Sequence, residues 1–349
     1  MGQEETTGGL RRGLAERSGY RDTMNASRRT KRFIGLLAII GLVFPGAEAA
    51  RANELIRVGK AQASVWTFLP VDVGIAEGFF ARRGLDIEVT SLGGDAKVQQ
   101  ALAAGSIDIG LGSGPGMAFI AKGSPAIGVA AFAGAPRNLS AMVLADSPIK
   151  TVADLRGKLI AVSTVGSLSD WLAKQMAIQE GWGQNGIRPV PLGAVETSIA
   201  ALKARRIDAV VLSTEMGFVL EERKEGRILT AMDHYAPHFI THVVFAQQSL
   251  VANKPGLVDR FLKGFFSAIA FMKSHKEETS AIAERALHQS LAVVRKDYDF
   301  EIGMFIDDGR FDPQAVAALK RSYVEMGTLP KQPPDDVLFT TQFLPVKLP

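Results

Sequence analysis

From residue 54 onward the apolar positions switch between two periods. Leu55-Ile56-Arg57-Val58-Gly59 is a short apolar run, and Leu69 to Arg83 carries apolar residues at helical spacing (Val73, Ala76, Phe79, Phe80). Gly84 stands where a helix C-cap belongs, and Leu85-Asp86-Ile87-Glu88-Val89 alternates as a half-buried strand does. Lys97 to Ala104 predicts a short helix closed by Gly105, and Ile107 to Leu111 a further strand. Strands alternating with helices at this spacing predict βαβ units around mostly parallel sheets.

The same order returns about a hundred residues later. Ala101-Leu102-Ala103-Ala104-Gly105-Ser106-Ile107-Asp108 is echoed by Ala201-Leu202-Lys203-Ala204-Arg205-Arg206-Ile207-Asp208. Lys158 to Val162 matches the Ile56 strand, and a helix from Ser167 to Glu180, ended by Gly181, matches the one ended by Gly84. Two similar α/β lobes are expected. Beyond them Thr241–Phe245 reads as a strand, and Leu257–Lys273, Glu277–His288 and Pro313–Met326 read as helices. These helices have no strands of their own and must pack on an existing lobe.

Charge changes the picture only at the start of the chain. Lys and Arg number 40 against 36 Asp and Glu, for a pI near 9.2. Residues 1–52 hold nine Lys+Arg and five acidic residues, so the remainder balances at 31 of each. Arg28, Arg29, Lys31 and Arg32 precede the apolar run Phe33–Phe44, and Ala47-Glu48-Ala49 follows. That order is a secretory signal, because 12 apolar residues fall short of the roughly 20 that span a bilayer. Met24 offers an internal start, and Ser27-Arg28-Arg29 only weakly suggests twin-arginine export. The mature chain, from near Asn53, has no basic excess to attract nucleic acid. Zero cysteine excludes disulfides, Cys-metal sites, thiol nucleophiles and a lipid-anchored cysteine.

Several segments together carry a family resemblance. Glu77-Gly78-Phe79-Phe80-x-x-x-Gly84-Leu85-Asp86-Ile87-Glu88-Val89 and Ala101-Leu102-x-x-Gly105-x-Ile107-Asp108-Ile109-Gly110 resemble nitrate, taurine and aliphatic-sulfonate periplasmic substrate-binding proteins. Thr151-Val152-Ala153-Asp154-Leu155-Arg156-Gly157-Lys158 resembles the segment that enters their second lobe. The resemblance implies an α/β, two-lobed type II periplasmic binding fold with two crossover segments. Residues 53–142 and 239–349 would then form lobe 1, and 143–238 lobe 2. It also implies a monomer free in the periplasm that takes a small-molecule ligand to the permease of an ABC importer in the inner membrane, with no cofactor. The ligand class implied is a sulfonate, taurine, nitrate or carboxylate. A thiamine-pyrimidine-precursor binder, an enzyme and a ligand sensor on the same fold stay open. The pyrimidine-precursor synthases that resemble this fold rely on a cysteine-rich motif, which this chain lacks.

Candidate site residues follow from where such folds bind ligands. Ligands sit beyond the carboxyl ends of strands, where helix N-termini offer free N–H groups. Five loops qualify: Ala63–Thr67 with Trp66 and Thr67; Gly93–Asp95 with Gly94 and Asp95; Ser113–Gly116 with Ser113, Gly114 and Pro115; Ser163–Ser167 with Thr164, Gly166 and Ser167; and Ser213–Glu215 with Thr214 and Glu215. Trp66 could stack on a flat ligand, and Arg137 beside Asn138 in the first crossover could pair a carboxylate or sulfonate. Glu215 could accept from a cationic or N–H-bearing group, and with Arg137 would suit a zwitterion. His234, His238 and His242 stand at i, i+4 and i+8, but Pro237 and the following strand place His238 and His242 ~13 Å apart, too far to share a metal. His234 or His242 in the return crossover could touch ligand. The enzymatic motifs Gly-x-Ser-x-Gly, P-loop and His-Glu-x-x-His are absent.

Overall fold

The computed structural model describes residues 52–63 and 65–348. The expected export signal and its alternative start lie outside the described residues, as does Ser64 of the first candidate loop.

Ten strands form two five-stranded sheets. The first part of the chain supplies β1 (Glu54–Lys60), α1 (Leu69–Ala76), β2 (Leu85–Ser91), α2 (Asp95–Ala103), β3 (Ile109–Ser113), a short α3 (Ala118–Ala121) and β4 (Ala126–Ala133). The middle supplies β5 (Leu139–Leu144), β6 (Leu159–Val162), α4 (Leu168–Gln179), β7 (Arg188–Pro191), α5 (Val195–Lys203), β8 (Ala209–Ser213), α6 (Thr214–Glu222) and β9 (Gly226–Ala231). The last part adds β10 (His242–Gln247), α7 (Gln248–Asn253), α8 (Pro255–Ser274), α9 (Lys276–Leu287), α10 (Leu291–Glu301), α11 (Pro313–Glu325) and α12 (Asp335–Leu338).

The sheet orders are β2-β1-β3-β10-β4 and β7-β6-β8-β5-β9. They match strand for strand. In each, one strand (β10 or β5) runs antiparallel to both neighbours, and it is the first strand laid down after a crossing between sheets. The echoed aspartates explain why the sequence repeats. Asp108 accepts the backbone N–H of Arg57 at 2.9 Å, and Asp208 accepts that of Leu159 at 2.9 Å, so each ties its strand to β1 or β6. In the first lobe Arg57 also grips Asp108 through two further bonds.

Two expectations need correction. β5 pairs with β8 and β9, so the chain has left the first sheet before Leu139, and the 142/143 boundary falls inside a strand of the second sheet. The helix expected over Leu69–Arg83 ends at Ala76. Gly78, at φ +66°, turns the chain so that Phe80 can stack on Phe261 at 5.3 Å.

The C-terminal helices close the first lobe. The apolar face of α8 (Phe261, Leu262, Phe265, Phe266, Ile269) is fully buried, and Phe265 meets Phe132 edge-on at 5.2 Å. Burial of this kind stabilises by about 2 kcal/mol per large side chain. Among the described residues no helix is long and apolar enough to cross a membrane.

Candidate functional site

The carboxyl ends of β1 and β8 meet across the two lobes. The backbone N–H of Trp66, just beyond β1, donates to Glu215 Oε2 at 3.2 Å, from the first turn of α6. Thr214 fixes that turn. Its N–H donates to the Asn138 carbonyl at 3.0 Å, while its hydroxyl donates to the Arg137 carbonyl at 2.8 Å and lies 2.7 Å from Ser140 Oγ. Trp66, Asn138, Thr214 and Glu215 are therefore gathered at one point, and all four are buried.

A wall that the sequence did not disclose completes this point. Helix α10 stands between the lobes. Tyr298 meets Trp66 edge-on at 6.1 Å, and Phe300 meets Phe218 of α6 edge-on at 5.7 Å. On the same helix Asp297 is 0% exposed and Glu301 1%, beside Glu215 at 8%. Neither oxygen of Asp297 has a hydrogen-bond partner, nor has Glu301 Oε2. Burial pushes the Glu215 carboxyl up to about 7, against the Trp66 N–H and Gln289, which favour its ionised form. Burial and the neighbouring Glu215 charge push Asp297 up to about 9. Burial raises Glu301 well above the ordinary carboxylate range, reinforced by Asp297 and Glu215 and opposed by Arg137. Leaving such groups unpaired costs about 1–3 kcal/mol each, so the cluster is kept at the expense of stability. Perturbed carboxyls of this kind gather at functional sites. Among the described residues no three acidic or His side chains could hold a metal ion.

Further orphaned groups border the cluster. Trp66 Nε1, Thr67 Oγ1 and Asn138 Oδ1 are buried with no partner. Arg137 is at the rim: it pairs with Asp233 at 3.1 Å and lies 5.3 Å over the Phe300 ring, its side chain 44% exposed.

The other expected residues are placed less centrally. Asp95 accepts the Ser113 N–H at 2.7 Å and its hydroxyl at 2.6 Å, so this pair joins β3 to α2. Ser113 in turn caps Gly116. Gly94, at φ +134°, donates its N–H to the Ala61 carbonyl at 2.7 Å. Gly114 is glycine because of crowding: a Cβ there would lie 1.9 Å from the Ile240 carbonyl oxygen. Its N–H donates to Thr241 and its carbonyl accepts from Tyr323. Pro115 follows, half-buried. In the second lobe Ser167 caps α4, and Gly166 donates to Asp170 at 2.8 Å, with Thr164 exposed beside them.

The histidines divide. His234 is exposed on a short helical turn against Tyr235. His242 is a core residue, wedged between Phe68 at 5.0 Å and Phe132 at 5.6 Å, and burial pushes it down to about 3. It is the first residue of β10, opposite Ser113 at the carboxyl end of β3, and its Nδ1 is buried without a hydrogen-bond partner.

A second contact spans the lobes at α11. Tyr323 of this helix holds Gly114 of the first lobe at 3.0 Å. Two residues on, Glu325 accepts from Trp171 Nε1 at 2.6 Å and from Gln175 at 3.2 Å, both on α4 of the second lobe.

Known proteins share this architecture. The structure is similar to the aliphatic sulphonate binding protein SsuA of Escherichia coli, with a TM-score of 0.72 and 20% identity over 82% of this chain and 92% of that one. It is also similar to the alkanesulfonate-binding SsuA of Xanthomonas axonopodis pv. citri bound to MOPS, at TM-score 0.66 and 17% identity over 83% and 99%. The desulfurization enzyme DSZB matches too, at TM-score 0.62 and 16% identity over 84% and 98%. These likenesses bear out the two-lobed periplasmic binding protein fold. In sequence, a "Putative binding protein" of Brucella abortus is 25% identical over 260 residues, covering 74% of this chain and 79% of that protein. A "Putative thiamine biosynthesis protein" of Haemophilus influenzae is 26% identical over 211 residues, covering 58% and 64%. The family model described as NMT1/THI5 like matches residues 66–279, well over half of the sequence, and this chain belongs to that family.

Proposed function

We propose that the mature protein is the solute-binding component of an ABC importer, acting as a monomer in the periplasm. It captures a small organic molecule between its lobes and presents the closed form to an inner-membrane permease. The observation that carries this reading is the buried Trp66–Glu215 bond between the lobes, ringed by polar groups without partners. A solute touching both lobes binds the closed state better than the open one, and that difference drives closure.

The ligand class is anionic or zwitterionic, in keeping with the sulfonate-binding neighbours. The zwitterion suits the site better, because Glu215 faces inward while Arg137 stands at the rim. A second reading, a pyrimidine-type thiamine precursor, draws on the Haemophilus relative and on Glu215 beside an aromatic residue. A thermal-shift screen of sulfonates, taurine, nitrate, aromatic carboxylates and pyrimidines tests both, since binding to the native state raises the melting temperature. A bound compound recovered unchanged is the expected result. Its chemical conversion by the purified protein would overturn the binding-protein reading.

A further inference from the structure

Resting on that reading, we propose that Asp297 and Glu301 of α10 form, with Glu215, a subsite for a cationic nitrogen of the solute, an alkylammonium or a guanidinium. The three carboxyls come together where α6, α10 and the Trp66 turn meet, and two of them bury oxygens that nothing in the protein satisfies. The nearby cations are committed elsewhere. Arg137 is held by Asp233 and the Phe300 ring, Lys296 lies 3.5 Å from Glu221, and Lys276 binds Asp299 at 2.6 Å.

A second observation points to an occupant. Trp66 and Asn138, from opposite lobes, each bury a polar atom without a partner. Both adjoin the acids: Trp66 through its backbone bond to Glu215 and its ring against Tyr298, Asn138 through its carbonyl's hold on Thr214. Asn138 Oδ1 is an acceptor that a solute N–H can satisfy. Trp66 Nε1 is an N–H donor and calls for an acceptor on the solute, so a group that satisfies both sits between the lobes. Among the described residues the carboxyls do not converge closely enough for a metal ion, so an organic cation with several N–H donors fits the spread. Burial favours the protonated form of these carboxyls in the empty site. A bound cation supplies the charge and the donors that let them ionise, and a simple anion does not. A zwitterion would direct its anionic end toward Arg137.

Taurine and ethanesulfonate, which differ by one ammonium, test this on the purified exported protein by calorimetry, with n-propylguanidinium as the cation alone. The expectation is measurable binding of taurine or n-propylguanidinium, with ethanesulfonate at least tenfold weaker than taurine. The double variant D297N/E301Q, checked for folding by circular dichroism, should lose at least tenfold of the cation-probe affinity. Should that variant not fold, the wild-type comparison of taurine with ethanesulfonate decides alone. Ethanesulfonate binding as tightly as taurine, or neither cationic probe binding at millimolar concentration, would overturn the subsite and leave the binding-protein reading standing. Conversion of a bound probe would instead overturn that reading.

Discussion

Replacing Glu325 with alanine should loosen the closed arrangement without unfolding either lobe. Glu325 extends from α11, which Tyr323 anchors to Gly114 of the first lobe, and it accepts two hydrogen bonds from α4 of the second. Bonds to a charged acceptor contribute about 1.5–3 kcal/mol when buried. Glu325 is exposed, so screening lowers its share, while the buried indole N–H of Trp171 would be stranded by its loss. A net effect of about 1–2 kcal/mol follows, and at 1.4 kcal/mol per factor of ten the ratio of closed to open forms shifts roughly five- to thirtyfold. Small-angle scattering of the ligand-free protein is the direct assay. E325A should show a larger radius of gyration than the parent, with a urea midpoint that falls by less than a full loss of about 1–2 kcal/mol would cause, because the open form still folds. E325Q, whose amide oxygen still accepts from Trp171, should behave as the parent does. If E325A scatters identically and only its urea midpoint falls, the contact stabilises the fold and does not govern closure.

Two further outcomes follow from the same contacts. Glu215 and Asp297 bind protons more tightly when folded, with values near 7 and 9 against an ordinary carboxylate range near 4, so stability should fall as pH rises from about 5 to about 9. D297N should flatten the upper part of that slope, and urea midpoints at pH 5, 7 and 9 that keep the parent's slope would contradict it. Gly114→Ala should destabilise by about 3 kcal/mol, because its Cβ would collide with the Ile240 carbonyl and force β3 from β10; a urea midpoint within error of the parent would refute the collision.

The elements legible in the sequence were those whose signals are local. Gly84 and Gly105 both adopt positive φ at helix ends, and the strands flanking them stand within two residues of expectation. The Ala101–Asp108 echo was legible because one aspartate does the same work in each sheet. Helix α10 was missed for an opposite reason. Its buried face carries Asp297 and Glu301, so the amphipathic pattern that reveals α8 is inverted where the helix meets the cleft. Trp66 and Glu215 were visible as candidates, but their bond joins positions 149 residues apart, which no local pattern reports. His242 was visible as a candidate, but its seat between Phe68 and Phe132 is set by strand registry, a tertiary property that no local pattern reports.

The placement of β10 between β3 and β4 also sets an order of assembly. Residues 54–133 emerge first, yet β3 and β4 have no bond to each other and must wait for residues 242–247 to join them. The second sheet, by contrast, draws all five strands from residues 139–231 and can pair as soon as that stretch is made. A chain cut before His242 would therefore hold one complete sheet and one interrupted between β3 and β4, each of these strands left without its partner and so exposed to aggregation. This delay keeps the first lobe unfinished until more than two-thirds of the chain has been synthesised.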